Sequence, residues 1–328
     1  MQAQVTHVAV ALVCLLAGAG WAQPAWAYTA YVTNERDNTM SVIDLDQMKT
    51  VKTVPVGQRP RGITMTKDGS EILICASDDD TIQILDAKTL QVIGDLPSGP
   101  DPETFALHVS GNPLYVSNEN DNMITVIDVP ARKVLAQIPT GVEPEGMAVS
   151  PDGEAIVNTS ETTNMAHFLD FKTRKMVANV LVDPRPRIAR FKHDGSEVWV
   201  SSELGGTVSV IDAAKHVVTH KIHFDVQGLR AESIQPVGIA FTKDDKTAFV
   251  ALGPANRVAV LDAQTYKLRK YLLVGQRVWH MAFTPDQKYL LTTNGLSNDV
   301  SVIDVASLEV VKSIQVGRLP WGVVVSPK

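Results

Sequence analysis

Cysteine is scarce in this chain, and its scarcity removes several classes of site. The 328 residues contain two cysteines, Cys14 and Cys75. Because Cys14 lies in a segment that we expect to be removed, the mature chain keeps Cys75 alone. One cysteine cannot form an intramolecular disulfide, a Cys-pair haem attachment site or a thiolate zinc site. Cys75 lies in the apolar run EILICAS, where we expect a buried small side chain rather than a nucleophile.

Charged residues are absent from residues 1–27, which contain no Asp, Glu, Lys or Arg. The segment includes an apolar run at 8–22 and ends in Ala25-Trp26-Ala27, a small-x-small cleavage pattern. These features predict a secretory signal peptide that is removed after Ala27. A retained membrane anchor is the alternative, but the run is shorter than the roughly 20 residues that a span needs. We therefore expect an exported chain, residues 28–328, without a membrane span.

An excess of positive charge is also missing. The formal net charge is −6 and the pI is about 5.8, so we expect no general affinity for nucleic acids. The sequence has no nucleophile motif, catalytic-triad spacing or redox-cofactor signature. The remaining composition, 45% hydrophobic and 20% charged, is that of an ordinary globular protein. These observations favour a binding protein over an enzyme.

What the chain does have is a long internal repeat. An apolar motif closes with aspartate at a nearly constant interval, and each interval holds four short apolar alternations. The aspartates stand at 44, 86, 128, 170, 212, 262 and 304, which gives spacings of 42, 42, 42, 42, 50 and 42 residues. Turn sequences such as PDG separate the first two alternations of a repeat and predict a tight hairpin. Four antiparallel strands in about 42 residues are typical of one β-propeller blade.

The number and arrangement of the repeats predict the whole fold. Residues 28–328 begin at a second strand and finish, at 321–327, just after a first strand. Pairing these two segments would complete one blade and cover two exposed sheet edges. We therefore predict an all-β, single-domain, seven-bladed propeller of four-stranded antiparallel blades. The C-terminal strand closes it by pairing with the N-terminal blade.

One strand motif carries a family resemblance. YVTN at 31–34 is echoed by YVSN at 115–118, WVSS at 199–202, FVAL at 249–252 and LTTN at 291–294. The chain resembles the YVTN-type β-propeller repeat family over nearly all of residues 28–328. It is most similar to the subgroup associated with catabolism that depends on pyrroloquinoline quinone (PQQ). This resemblance implies a periplasmic accessory or binding protein whose partner is a small ligand, a quinoprotein or a transport system.

A proline slot at the strand 4–1 connection changes its charge from blade to blade. Four successive copies read GQRPRGITM (57–65), GPDPETFAL (99–107), GVEPEGMAV (141–149) and DPRPRIARF (183–191). The proline belongs to the framework, because it fixes φ and needs no ladder N–H. Its neighbours are free to vary, and they are expected around one mouth of the central channel. In ring order, the residues after the slot are Trp321, Arg61, Glu103, Glu145, Arg187, Val237 and Trp279.

These neighbours suggest a site with charged and aromatic walls. The candidate ligand-binding residues are Arg59, Arg61, Glu103, Glu145, Arg187, Trp279, His280 and Trp321. The arginines could hold a carboxylate and the tryptophans could cover a flat ring. His280 is the one candidate for acid–base chemistry or for a single ligand. The alternative is structural, since Arg61 with Glu103 and Glu145 with Arg187 could simply pair neighbouring blades.

Two further features lie on the same face. The 50-residue interval contains eight extra residues within 223–238, so Arg230 and Glu232 are lid candidates, with a neutral insertion as the alternative. Asp78 and Asp80 stand near Asp101 and are weak metal candidates, with a solvated acidic hairpin as the alternative. No cofactor is predicted, and PQQ or a divalent or lanthanide cation stays open.

The preferred function is a monomeric, periplasmic, non-enzymatic binding or scaffold protein linked to PQQ-dependent alcohol catabolism. The alternative is a lactonase-like hydrolase that uses the same channel mouth, since other seven-bladed propellers host that chemistry. A structural adhesion repeat is a third possibility. A screen of ligands against the purified protein would separate the first two.

Overall fold

The computed structural model describes residues 28–326, which form seven four-stranded sheets around a central tunnel. We number the sheets as blades I to VII. Blade I contains β28 (Pro320–Val325), β1 (Thr29–Asn34), β2 (Thr39–Asp44) and β3 (Lys49–Pro55). Blade II contains β4 (Pro60–Met65), β5 (Glu71–Ala76), β6 (Thr81–Asp86) and β7 (Val92–Pro97). Blade III contains β8 (Pro102–Leu107), β9 (Leu114–Asn118), β10 (Met123–Asp128) and β11 (Lys133–Pro139).

The remaining blades follow in the same order. Blade IV contains β12 (Pro144–Val149), β13 (Ala155–Ser160), β14 (Met165–Asp170) and β15 (Lys175–Leu181). Blade V contains β16 (Pro186–Phe191), β17 (Glu197–Ser202), β18 (Thr207–Asp212) and β19 (Val217–His223). Blade VI contains β20 (Ile239–Phe241), β21 (Thr247–Ala251), β22 (Arg257–Asp262) and β23 (Leu268–Leu273). Blade VII contains β24 (Val278–Phe283), β25 (Tyr289–Asn294), β26 (Asp299–Asp304) and β27 (Glu309–Gln315).

The predicted propeller and its closure are confirmed. Every sheet is antiparallel, and β28 pairs with β1 through Ala30 opposite Val325 and Val32 opposite Val323. The predicted signal peptide, residues 1–27, lies outside the described residues. Within 28–326 the helices are two three-residue turns, Ser77–Asp79 and Ala231–Ser233, and neither could span a membrane.

The repeated aspartate holds the turn that follows the third strand of each blade. In blade I, Asp44 Oδ1 accepts the N–H groups of Asp46 and Gln47, both at 2.9 Å. The aspartates at the same position in the other blades accept equivalent bonds. The aspartate therefore stabilises a turn in each blade, which explains why this residue recurs where no chemistry is needed.

Apolar side chains fill the seams between neighbouring blades. Trp199 of blade V is fully buried and meets Phe241 of blade VI edge-on, with ring centroids 5.0 Å apart. Cys75 is also fully buried, as expected from its apolar surroundings. Each strand therefore sends side chains into a seam, and the packed ring fixes the strand ends around the tunnel.

Blade VI departs from the regular pattern. Its innermost strand, β20, has three residues, whereas the innermost strands of the other six blades have six. Pro236 and Val237 precede this strand, so Val237 does not open it as its place in the repeat suggested. The eight extra residues fall within 223–238, where Val226 and Ile234 are buried in the seam between blades V and VI.

Candidate functional site

The proline slots converge on one mouth of the tunnel. A cavity of about 540 Å³ opens there. Its lining residues are Glu35, Arg59, Arg61, Asp101, Glu119, Arg185, Arg187, Glu203, Leu204, Gln235, Arg277, Trp279 and Trp321. Five of the eight predicted ligand-binding residues and the metal candidate Asp101 are thus among its walls, while Glu103 and Glu145 lie buried behind the arginines. The structure brings together side chains that are 42 residues apart in sequence because the innermost strands of six blades start at equivalent positions of the repeat.

A repeated backbone contact sets this level. The residue before the proline has a positive φ in five blades, for example 58° at Arg185, and so does Arg277, which precedes Val278 at the same position of blade VII. In each of these blades the N–H of this residue donates to an Asn or Asp side chain of the same face, 21 residues earlier. These acceptors are Asn38, Asp80, Asn122, Asn164, Asn256 and Asn298. The residue before the proline is therefore held by the framework, and its side chain is presented at the mouth.

Arginine and carboxylate groups pair across the seam between blades II and III. Arg61 contacts Glu103, whose side chain is fully buried, and its Nη2 lies 3.2 Å from Glu35 Oε1. Arg59 contacts Asp101, and its Nη1 lies 3.3 Å from Glu103 Oε1. Burial opposes the charge of Arg61, but Glu103 and Glu35 outweigh it and raise the pKa of the guanidinium. The predicted structural alternative, pairing of adjacent blades, therefore exists here.

The second group of pairs joins blades IV and V. Arg187 contacts Glu161, and its Nη2 lies 3.0 Å from Glu145 Oε1. Arg185 Nε lies 3.0 Å from Glu161 and 3.1 Å from Glu203. Arg277 of blade VII reaches Glu203 at 2.7 Å. The same arginines thus tie blades together and form the cavity wall, so the two interpretations of the slot are compatible.

Four glutamates of the mouth were not among the predicted residues. Glu35, Glu119, Glu161 and Glu203 each follow directly after the second strand of a blade. Their spacings are multiples of 42, and each one follows a YVTN-like motif. The signal was present in the repeat, because the loop between strands two and three lies on the same face as the proline slot. They were not predicted because the candidate residues were taken mainly from the proline slot.

An acidic corner lies beside the arginines of blade II. The carboxylate oxygens of Asp101, Glu103 and Glu119 are all within 4.8 Å of one another. Burial, the charge of Glu103 and a hydrogen bond to Glu103 raise the pKa of Glu119 to about 7. Within residues 28–326, no Arg or Lys pairs with Glu119. The corner offers the oxygen ligands that hard cations prefer, although Arg59 and Arg61 already neutralise part of its charge.

The predicted metal residues fall into different roles. Asp78 pairs with Arg59 Nε at 2.6 Å, and Asp80 Oδ1 accepts the N–H of Asp101 at 2.9 Å. Asp80 is therefore one of the framework acceptors described above. The structure groups Asp101 with Glu103 and Glu119, and the acidic hairpin itself serves the strand entry.

The two tryptophans contact cationic side chains. Arg277 lies over the Trp279 ring with its guanidinium carbon 4.3 Å from the centroid. The guanidinium carbon of Arg61 lies 5.6 Å from the centroid of the Trp321 ring. Trp321 is nearly buried and forms the floor of the cavity, whereas Trp279 is partly exposed in its wall. Each tryptophan ring therefore already makes a cation–π contact with an arginine of the protein.

His280 lies deeper, in the tunnel below Trp321. Its ring centroid is 4.0 Å from the Trp321 ring, and its Nε2 is buried without a hydrogen-bond partner. Burial, together with the charges of Arg187, Arg190 and Arg61, lowers the pKa of His280 to about 3. The imidazole is therefore neutral near pH 7 and cannot serve as a general acid there.

The lid candidates lie outside the cavity. Arg230 and Glu232 are exposed on the inserted segment, and the cavity is lined on that side by Gln235. Gln235 Nε2 donates to the backbone carbonyl of Glu232 at 3.0 Å. The insertion thus touches the cavity through Gln235, and contact of Arg230 or Glu232 with a ligand stays a prediction.

Comparison with known proteins gives a family match and a fold. A family model described as the choice-of-anchor I domain matches residues 121–301. No curated protein matches the chain in sequence.

Solved structures give the same architecture. Hydrazine synthase from Kuenenia stuttgartiensis is similar with a TM-score of 0.78 at 21% identity, over 85% of this chain and 92% of that one. A functionally unknown protein from Desulfotomaculum acetoxidans has a TM-score of 0.77 at 14% identity, over 90% and 98% of the two chains. A putative 6-phosphogluconolactonase from Bacteroides uniformis has a TM-score of 0.76 at 16% identity, over 91% and 99%. At these identities the similarity shows the propeller fold alone.

Proposed function

Because the chain belongs to the choice-of-anchor I domain family, we propose that it is an exported propeller that binds a small cationic organic ligand at the tunnel mouth. The family and the predicted signal peptide both support an extracytoplasmic location, and the periplasm is our specific assignment. The binding role follows from the charged cavity at the mouth.

The balance of charge carries this proposal. Each of the five cavity arginines already contacts at least one carboxylate. Together they pair with Glu35, Asp78, Asp101, Glu103, Glu145, Glu161 and Glu203. Glu119 adds a further carboxyl group whose neighbours are acidic. The unmet demand is therefore for positive charge, and a ligand ammonium beside Glu119 would satisfy it.

The walls refine the class of ligand. Trp279 is partly exposed beside Arg277, and Leu204 is exposed at the rim. An amine with an apolar or aromatic portion would place its charge in the acidic corner and its body against these side chains. A carboxylate ligand, which the arginines alone suggested, would have to displace the protein's own carboxylates from every guanidinium.

The cellular role remains as the YVTN resemblance implies. We assign the protein as a non-enzymatic binding or accessory component that works beside a PQQ-dependent alcohol oxidation system. Its partner would be a quinoprotein or a transport system that receives the ligand. The repeat motifs of residues 31–34 and their echoes support this assignment.

A lactonase-like hydrolase is the second candidate. Glu119, with a pKa of about 7, has the proton affinity of a general base and lines the cavity. The similar fold of the putative 6-phosphogluconolactonase is compatible with this chemistry. Lactone hydrolysis that disappears in Glu119→Gln would favour this candidate over the binding role.

Isothermal titration of the processed protein tests the proposal. The panel contains short aliphatic and aromatic amines, the matching carboxylates, PQQ, Ca²⁺, La³⁺ and simple lactones. We expect saturable binding of an amine, weakened about tenfold or more in Glu119→Gln because a charge-assisted hydrogen bond is lost. Glu232→Gln, an exposed carboxylate of the same face outside the cavity, is the matched control. Equal amine binding by wild type and Glu119→Gln would overturn the proposal.

A further inference from the structure

A second arginine environment lies inside the tunnel, below the mouth. Arg190 is the fifth residue of β16, where the innermost strands of the other blades carry small or uncharged side chains. The equivalent residues are Thr64, Ala106, Ala148, Ala240, Ala282 and Val324. Arg190 lines the tunnel together with His280. Blade V therefore adds a long cationic side chain at a position that the repeat fills with small residues.

The guanidinium of Arg190 has no carboxylate partner among residues 28–326. Its Nε donates to the backbone carbonyl of Ile239, in blade VI, at 3.3 Å. The side chain of Arg190 is solvent-exposed within the tunnel, and the protein around it lowers its pKa with no acidic group to offset the effect. A cleft lined by an unpaired positive charge attracts anions from solution.

His280 departs from the repeat in the same part of the tunnel. It is the third residue of β24, where four blades carry glycine and the other two carry Thr104 and Ile188. Its Nε2 is buried without a partner, as described above. Arg190 and His280 line the same tunnel cavity, so a ligand in that cavity would lie beside both side chains.

The space between them is small and partly apolar. The tunnel cavity has a volume of about 120 Å³. Phe105, Met147, Ile188 and Met281 line it beside the two polar groups. A cavity of this size, with two polar groups and an apolar lining, suits a small anion that has a polar end and an apolar end.

We propose that Arg190 and His280 form a tunnel site for a small monocarboxylate, such as formate or acetate. The planar guanidinium would hold both carboxylate oxygens, and the imidazole would donate one hydrogen bond. The side chains of Met147 and Met281 would cover the carbon end. The two sites differ in the ligand charge that they would bind: the mouth would bind a cation, and the tunnel would bind an anion.

A purely structural role for Arg190 is the competing explanation. Side-chain hydroxyls reach backbone carbonyls of the next blade in other seams, as Thr33 does to Arg61 and Thr159 to Arg187, both at 2.7 Å. In the seam between blades V and VI, Arg190 makes the corresponding contact with Ile239. Substitution of Arg190 could therefore change stability without any ligand being involved.

The experiment separates these roles by measuring binding and stability together. Acetate and formate are titrated into the processed protein by calorimetry in a chloride-free buffer at constant ionic strength. We expect saturable binding with a Kd in roughly the millimolar range, which is reasonable for so few atoms. Arg190→Ala, which restores the residue of four other blades, should weaken that binding about tenfold or more. His280→Gly should weaken it by a smaller factor.

Matched variants make the result specific. Arg132→Ala removes an exposed arginine outside the tunnel and should leave acetate binding unchanged. Glu119→Gln should also leave it unchanged, which keeps this site distinguishable from the mouth. Wild-type protein that shows no saturable carboxylate binding would overturn the proposal. Unchanged binding in Arg190→Ala, even with an altered melting temperature, would also overturn it and leave Arg190 as a seam contact only.

Discussion

Arg187 and Arg190 stand three residues apart on the same strand, yet their electrical surroundings are opposite. At the mouth, Arg187 meets Glu145, Glu161 and Glu203. In the tunnel, Arg190 meets one backbone carbonyl. Arg187 is buried, but its carboxylate neighbours outweigh burial and raise its pKa. Arg190 is exposed to the tunnel, and the surrounding protein lowers its pKa with no carboxylate to oppose the effect.

The difference comes from which chain segments reach each level of the ring. At the mouth, the strand entries and the loops between strands two and three supply carboxylates from several blades. Further down, only the interiors of the innermost strands face the tunnel, and the repeat fills them with small or apolar residues. The position of an arginine along the innermost strand, at the mouth or inside the tunnel, therefore determines whether carboxylates are near enough to pair with it.

The largest effect is expected from Arg187→Met. It leaves the buried carboxylates of Glu145 and Glu161 without their closest cation, so we expect a loss of about 3–5 kcal/mol of unfolding free energy. Urea denaturation measures it. Arg185→Met is the matched control, because Arg185 contacts Glu161 and Glu203 but its side chain is 45% exposed, against 6% for Arg187. The control should lose at most about 1 kcal/mol. Equal losses would mean that level in the ring does not matter.

A smaller effect is expected from Asn164→Ala. Asn164 Oδ1 accepts the N–H of Arg185 at 3.1 Å and so fixes one strand entry at the mouth. Its removal should cost more than about 1 kcal/mol in urea denaturation, because the hydrogen bond is lost and Asn164 has a φ of 56°, which alanine adopts less readily than asparagine. Asn120→Ala, which removes an exposed amide that contacts Asp101 in blade III, should cost less. Asn164→Ala should also weaken ligand binding at the mouth but leave binding in the tunnel unchanged, which would show that the two sites are separate.

Glu119→Gln should change how stability depends on pH. The folded-state pKa of Glu119 is about 7, above its ordinary value of 4.5, so the folded protein keeps a proton that the unfolded chain releases. Below pH 4.5 both states are protonated and the stabilising proton is fully retained. Wild-type stability then falls as pH rises from about 4.5 through 7. Glutamine does not titrate, so the variant should lack this fall.

Urea denaturation at several pH values checks the expectation. The variant should gain on wild type between pH 4.5 and 7 and hold that gain above pH 7. Partial exposure should keep the gain below about 1 kcal/mol. Glu232→Gln, which removes an exposed carboxylate outside the cavity, is the control for the loss of one negative charge. A gain for Glu119→Gln that grows toward acid would contradict the assigned direction.

Arg190→Ala should have the smallest effect on stability. It removes one hydrogen bond to a backbone carbonyl and a side chain that is otherwise exposed to solvent in the tunnel. We expect less than about 1 kcal/mol in carboxylate-free buffer. A loss as large as that of Arg187→Met would show that the tunnel arginine has a strong partner after all.

The framework was readable from sequence because it repeats. The recurring aspartate, the PDG-type turns and the constant interval fixed strand count, blade count and closure. Blade VI was less predictable, since eight extra residues moved the start of β20 past Val237. The pairing of Arg61 with Glu103 and of Glu145 with Arg187 was foreseen as an alternative, because neighbours in the ring carry opposite charge.

The remaining parts of the site depend on geometry that spacing alone does not give. Asp80 was predicted as a weak metal ligand. Its partner in the structure is the N–H of Asp101, which lies 21 residues away in sequence, so spacing alone does not reveal the contact. The glutamates after strand two were visible in the repeat but belonged to a different slot. Arg190 follows an irregular register between Pro186 and Ala189, so the direction of its side chain could not be inferred from alternation.

Seven is an odd number, and this arithmetic has a consequence for the mouth. Ion pairs between neighbours use positions two at a time, so they can fill a ring of six or eight but leave at least one position of a ring of seven outside any pair. Here Arg61 with Glu103 and Glu145 with Arg187 use four positions, and the other three hold Val237, Trp279 and Trp321. An odd blade number thus prevents complete charge pairing around the rim, and this chain fills the unpaired arc with apolar and aromatic side chains.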